Sequence, residues 1–255
     1  MNYLTAVHTD IGIKKKTNQD AVLLRIADTD YGKVVLGVIC DGMGGLARGE
    51  VASATLIRVF SDWFEERLPE LLMQGLTWER VQKDWKEVID QCNRKIIEYG
   101  VRNRVSLGTT LLAVLLWEGR YHIVNIGDSR IYQICDTFLQ LTRDQTYIQR
   151  EMDLGNMTYE EAMRHPQRNV LLQCVGTSSS MMPVFHTGTY GGDTVFMLCS
   201  DGFRHVITPE EFYEYLNPCI LKNEDVMLEH ARYLTELNKY RQETDNISVA
   251  LIRAC

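Results

Sequence analysis

The residues best placed to do chemistry are aspartates. Asp41 follows the apolar run VVLGVIC (34–40) and precedes Gly42-Met43-Gly44-Gly45. Asp201 follows VFMLCS and precedes Gly202, and Asp245 stands just before ISVALI (247–252). Asp128 interrupts the strand-like stretch YHIVNIGDSRIYQI (121–134) behind Gly127. An ionised carboxylate at the end of a core strand is costly unless a partner holds it, and glycine lets the backbone approach whatever the acid binds. One Asp-Gly alone reads as a turn. Several acids aimed from strand ends point instead to a shared cation site. Hard divalent ions such as magnesium or manganese take oxygen ligands, and clustered carboxylates repel strongly unless cations neutralise them. Two such ions about 3.5–4 Å apart could clamp a phosphate and deprotonate a water.

Asp20 closes the loop Lys14-Lys15-Lys16-Thr17-Asn18-Gln19-Asp20, which reads either as a solvated loop or as an anion clamp beside a metal-supporting acid. Arg130, two residues past Asp128, suits an anion or a salt bridge to Asp128 equally. The histidines lack metal-ligand spacing; His205, four residues past Asp201, is the one placed near the presumed site.

These acids need strands to hold them. Short strands are expected over 3–9 and 21–27, and a long core strand over 31–40. From Gly49 the period changes: Ala52, Leu56, Val59, Phe60 and Trp63 recur at three and four, a helix with one buried face that Pro69 should end. A second helix is expected from Thr77 to Tyr99, with Thr77 as its cap. A meander over 109–117, 120–126 and 130–135 follows, with a short strand over 138–141. Residues 145–154 and 158–163 suit short helices, 194–200 a strand, 209–216 and 224–239 helices, and 247–253 a closing strand. The segment 144–192 reads as a flap that carries little of the core. Hairpin-linked strands with segregated helix pairs indicate an α+β layered fold, not a doubly wound sheet, and no Gly-x-Gly-x-x-Gly supports a dinucleotide site. A single domain over 1–255 is expected.

The chain carries 34 acidic and 27 basic residues, net charge −7. That argues against a nucleic-acid binder, which carries a basic face. Seven cysteines without Cys-x-x-Cys spacing argue against a zinc or disulfide framework and for a reducing, cytoplasmic setting. The N-terminus lacks a signal-peptide pattern. The longest apolar run, Leu111 to Trp117, falls far short of the roughly 20 residues a membrane span needs. The nine residues after Asn246 leave the expectation of no further domain or anchor.

In chain order, TNQD (17–20), CDGMGG (40–45), LGTT (107–110), IGDSR (126–130), SDG (200–202) and TDNIS (244–248) resemble the metal-dependent protein phosphatase family of the protein phosphatase 2C type, in its bacterial form. The resemblance implies a four-layer α-β-β-α sandwich, two mainly antiparallel sheets flanked by helix pairs, with two Mn²⁺ or Mg²⁺ ions at one end. It makes Asp41 the bridging ligand, with the Gly42 carbonyl on the second ion and Asp201 and Asp245 on the first. Asp20 would stand just outside, and Asp128 would help bind a third, weaker ion. The implied activity is hydrolysis of phosphoserine and phosphothreonine on proteins by attack of a metal-bridging water. The implied partners are a cognate serine/threonine kinase and its substrates. Residues 144–192 match the family's variable flap, with HPQRN (165–169) inside it.

The chain departs from the family pattern at three positions. Lys15 stands where the family usually has the phosphate-clamping arginine, and it lacks the bidentate fork. Met43 stands where animal members carry a histidine thought to be the general acid. His205 replaces an acid that animal members place near the first ion. Two rival readings follow: a non-catalytic or weakly active relative that binds phosphoproteins as a regulator, and a phosphatase acting on small phosphorylated molecules.

Overall fold

The computed structural model describes residues 1–43, 48–177 and 180–255. Gly44 and Gly45 of the CDGMGG stretch, and Ser178 and Ser179 of the polar loop after Thr177, lie outside the described residues.

Strands β3 (Gly32–Met43) and β5 (Leu111–Trp117) are apolar at nearly every position. A strand tolerates that only when both faces are covered. Successive side chains point to opposite faces, and the packing follows that alternation. Val34, Leu36, Val38 and Cys40 of β3 pack toward helices, while Val35 and Ile39 pack toward a second sheet. In β5, Leu111, Ala113 and Leu115 take the helix side and Leu112, Val114 and Leu116 the other.

One sheet runs β2 (Asp20–Thr29), β3, β5, β6 (Arg120–Ile126), β9 (Val184–Thr189). The other runs β1 (Tyr3–Asp10), β11 (Ile247–Ala254), β10 (Thr194–Cys199), β7 (Arg130–Ile134), β8 (Phe138–Gln140). All the ladders are antiparallel. Helices α1 (Gly49–Asp62), α2 (Leu68–Met73) and α3 (Trp78–Asn103) cover the first sheet through Leu56, Phe60, Leu71, Trp85 and Ile89. Helices α7 (Pro209–Leu216) and α8 (Glu224–Tyr240) cover the second through Phe212, Leu216, Met227 and Leu234. The result is the four-layer α-β-β-α sandwich with three apolar layers. Short helices α4 (Tyr147–Asp153), α5 (Tyr159–Arg164) and α6 (Asp201–Arg204) complete the set.

Three local expectations need correction. Pro69 does not end the first helix. A π-helical turn over Trp63–Arg67 leads into α2, and Pro69 sits in the first turn of α2, where a missing N–H costs nothing. Strand β3 does not stop at Asp41, because Gly42 and Met43 pair with Thr109 and Gly108 of the two-residue strand β4 (Gly108–Thr109). The segment 144–192 is not all flap, since β9 adds an edge strand along β6. Thr77 does cap α3, accepting from the Arg80 amide.

Candidate metal centre

Register brings the first two acids together. In the β2–β3 ladder Asp20 lies directly opposite Asp41. Paired residues share a face, and this one is the inter-sheet face, because Asp41 keeps step with Val35 and Ile39. The two acids therefore close one end of the gap between the sheets. The opposite sheet answers with hydroxyls: Ser200 Oγ donates to Asp20 Oδ2 at 2.9 Å. Asp201 begins α6 straight after Ser200, and Asp128 sits in the turn between β6 and β7. Asp245 lies just before β11.

Asp41 is held by the LGTT segment. Its amide donates to Thr110 Oγ1 at 2.8 Å. Its carbonyl accepts from the Thr110 amide at 2.9 Å and from Thr109 Oγ1 at 3.0 Å. Thr110 Oγ1 also meets Ser129 Oγ at 3.0 Å, which ties Asp41 to the turn bearing Asp128. Gly42 leaves no room for a side chain. A Cβ there would stand 2.5 Å from the carbonyl oxygens of Gln19 and Gly49. Met43 follows in the β4 pairing, and its thioether has no proton to give.

Asn246 fastens the lysine loop. Its Oδ1 accepts from the Gln19 amide at 2.9 Å, and its Nδ2 donates to Ile11 O at 2.9 Å and Thr17 O at 3.3 Å. Glu243 Oε1 accepts from the Asp245 amide at 2.9 Å. These contacts bring Lys15 Nζ to 2.6 Å from Asp245 Oδ1. Lys14 and Lys16 are exposed.

The acids feel one another. Desolvation, then the charges of Asp20, Asp201, Asp128 and Asp245, push the Asp41 carboxyl well above the ordinary range. Desolvation pushes Asp20 up to about 7, against hydrogen bonds from Ser248 and Ser200. Desolvation and Asp201 push Asp128 up to about 7, against the Arg204 guanidinium. For Lys15, desolvation is outweighed by the Asp245 bond and the fields of Asp245, Asp41 and Asp201, so its ammonium is held above the usual range.

This donor set suits hard divalent cations: all oxygen, strongly negative, and incompletely paired. Asp20 Oδ1 and Asp201 Oδ1 are buried without a hydrogen-bond partner among the described residues, a costly state that a cation would relieve. Among the described residues no three carboxylates, imidazoles or thiols close on one point at metal-ligand spacing. Four of the five acids lean on partners of their own instead. Asp245 leans on Lys15, Asp20 on Ser200, Asp128 on Arg204 at 3.7 Å, and Asp201 on His205 Nε2 at 3.5 Å.

Arg130 takes neither a phosphate-facing role nor a bridge to Asp128. It binds Asp144 at both oxygens, each at 2.7 Å. Sequence reasoning did not find Thr110, Ser200, Arg204, Glu243 or Asn246 as site-building residues. Thr110, Ser200 and Asn246 lie inside the motifs LGTT, SDG and TDNIS, which was the available signal. Arg204 carried none.

The family description "Protein phosphatase 2C" matches residues 13–239. A serine/threonine phosphatase of Listeria innocua is 32% identical over 220 residues, covering 84% of this chain and 82% of its own. The serine/threonine phosphatase of S. agalactiae superposes with a TM-score of 0.83 at 28% identity, covering 100% of both chains. The catalytic domain of the phosphatase PstP, solved with 2 manganese ions, superposes at 0.79 with 26% identity, covering 98% of this chain and 97% of that one.

Proposed function

This chain belongs to the protein phosphatase 2C family, and on that premise we propose how it works as a metal-dependent protein-serine/threonine phosphatase. The observation that carries the reading is the pairing of Asp20 opposite Asp41, within the field of Asp128, Asp201 and Asp245. Asp41, the Gly42 carbonyl, Asp201 and Asp245 would hold two Mn²⁺ or Mg²⁺ ions. When bound, the ion pair supplies Lewis acidity that acidifies water and neutralises charge on a phosphoryl group.

The chain's own groups do the rest. Asp20 is anchored through Oδ2 to Ser200 while Oδ1 lacks a protein partner among the described residues, so a water admitted beside it would donate to Oδ1 and be held for attack. Lys15 reaches the site edge with its ammonium on Asp245, and turning it onto a phosphate oxygen orients the substrate. Thr109 and Thr110 hold the Asp41 backbone fixed, so its carboxylate needs no reorganisation during reaction. Met43 supplies no proton, so the leaving alcohol takes its proton from water or from another residue.

The reading extends to phosphorylated serine and threonine on proteins made by a kinase in the same compartment. We infer the cytoplasm as that compartment, a reading supported by seven cysteines without Cys-x-x-Cys spacing. No helix among the described residues is long and apolar enough to cross a membrane. The net charge of −7 speaks against nucleic acid as a partner.

The test is manganese-dependent phosphate release from a phosphothreonine peptide. Asp41→Asn should abolish it. Full activity in Asp41→Asn would overturn the site assignment. Equal turnover of a small phosphate ester would overturn the protein-substrate reading. Failure to bind a metal pair would favour the non-catalytic phosphoprotein binder, whose best support is Lys15 in the arginine's place.

A further inference from the structure

Behind the acid cluster four charged side chains alternate in sign: Arg130, Asp144, Arg204, Asp128. Arg130 grips Asp144 from one side. Arg204 Nη2 takes Asp144 Oδ2 from the other at 3.3 Å. The same nitrogen donates to the Asp128 carbonyl at 3.0 Å and lies 3.7 Å from Asp128 Oδ2. The Arg204 and Asp128 side chains are each 11% exposed and Asp144 9%. Two guanidiniums and two carboxylates make the row neutral by itself, which is what lets it be buried.

That neutrality bears on the third ion the family resemblance assigns to Asp128. A divalent cation on this carboxylate would sit beside a buried guanidinium that cannot give up its proton and has little room to swing away. The neighbouring acid is also covered. Asp201 Oδ2 faces His205 Nε2 at 3.5 Å, and Glu243 Oε2 fixes that imidazole through Nδ1 at 3.1 Å. The donors left around Asp128 do not fit a third divalent ion.

We propose that Arg204 is a tethered replacement for that ion: its guanidinium supplies the positive charge beside Asp128, and the chain loads two ions rather than three. The inference rests on the reading of Asp41, Asp201 and Asp245 as holders of an ion pair. It makes Arg204 a positioning residue, since it also joins Asp144, where the flap segment starts, to the helix that begins with Asp201.

Mn²⁺ binding to the 255-residue chain, followed by isothermal titration calorimetry and by loss of the free-ion EPR signal, tests this. The unaltered chain should take up two ions, and Asp128→Asn should still take up two. Arg204→Gln should gain one further, weaker ion, lost again in the Arg204→Gln/Asp128→Asn double variant. A third ion in the unaltered chain that Asp128→Asn removes would overturn the proposal, as would an uptake of two by folded Arg204→Gln. Where circular dichroism shows Arg204→Gln unfolded, the first comparison still decides, because it needs only the native arginine. Uptake of no pair at all would overturn the ion-pair reading and this inference with it. A pair joined by a third ion would overturn the inference alone.

Discussion

Replacing Thr110 by valine removes one oxygen and keeps the shape of the side chain. Thr110 is fully buried, and its Oγ1 is the acceptor for the Asp41 amide at 2.8 Å and the partner of Ser129 Oγ at 3.0 Å. In Thr110→Val the Asp41 N–H keeps its place, because the backbone bond from the Thr110 amide to Asp41 O survives. It then has no acceptor. A buried donor left unpaired costs about 1–3 kcal/mol, and the lost hydroxyl pair about 0.5–1.5 more. The sum, about 3 kcal/mol, corresponds to a fall in Tm of about 6–12 °C for a chain of this size. Urea and thermal unfolding in EDTA would measure it without interference from bound metal. Thr110→Ser is the control, since it keeps the hydroxyl and loses one methyl, about 1 kcal/mol. Metal affinity should fall with stability in the valine variant and stay near normal in the serine one. Should Thr110→Val prove as stable as Thr110→Ser, the hydroxyl would not be what holds Asp41, and the account of the LGTT segment would fail.

Three more outcomes are expected. His122 is fully buried, stacked between Trp78 and Phe185 at 5.4 and 5.6 Å with neither ring nitrogen paired among the described residues. Desolvation lowers its pKa to about 4, so the folded chain binds fewer protons than the unfolded one. Stability is whole above the unfolded value near 6.5 and is lost as pH falls toward 4, by about 2 kcal/mol at pH 5. His122→Phe should remove that loss from urea titrations at pH 7 and 5, and parallel losses in both chains would refute it. Lys15→Met, which frees Asp245 from its ammonium, should tighten Mn²⁺ binding about two- to fivefold in calorimetry, the worth of a partly exposed ion pair, and raise KM for a phosphopeptide. Unchanged Mn²⁺ affinity would show that the lysine does not compete for the site. Mn²⁺ at about a hundredfold over its Kd should stabilise the chain by about 2.7 kcal/mol and raise Tm by about 5–10 °C. EDTA should reverse the shift, and Asp41→Asn should not show it.

The acids were legible because each breaks an apolar run next to glycine or at a strand's edge, where an unpaired charge has no structural excuse. The layers were legible for a related reason. VVLGVIC and LLAVLLW lack alternation, and only strands covered on both faces can be written that way. What escaped depends on contacts between distant positions. Nothing near Arg204 in sequence indicates Asp144, 60 residues away, or Asp128, 76 away. Lys15 meets Asp245 only because Asn246 clips the loop that carries it. Strand β9 escaped because an edge strand is half exposed, and VFHTGT shows neither an apolar run nor a clean alternation. Pro69 misled because the same residue that stops one helix suits the first turn of another.

Strand β11 is the last element of the chain, yet it lies inside its sheet, hydrogen-bonded to β1 on one side and β10 on the other. Asp20 and Asp41 therefore lie far earlier in the sequence than Asp245, which stands at the entrance to this strand. Until the closing strand slots between its neighbours, β1 has no sheet to join and the lysine loop has no Asn246 to fasten it. One stretch near the end of the sequence thus completes three things together: the acid set, the lysine loop and the pairing of β1.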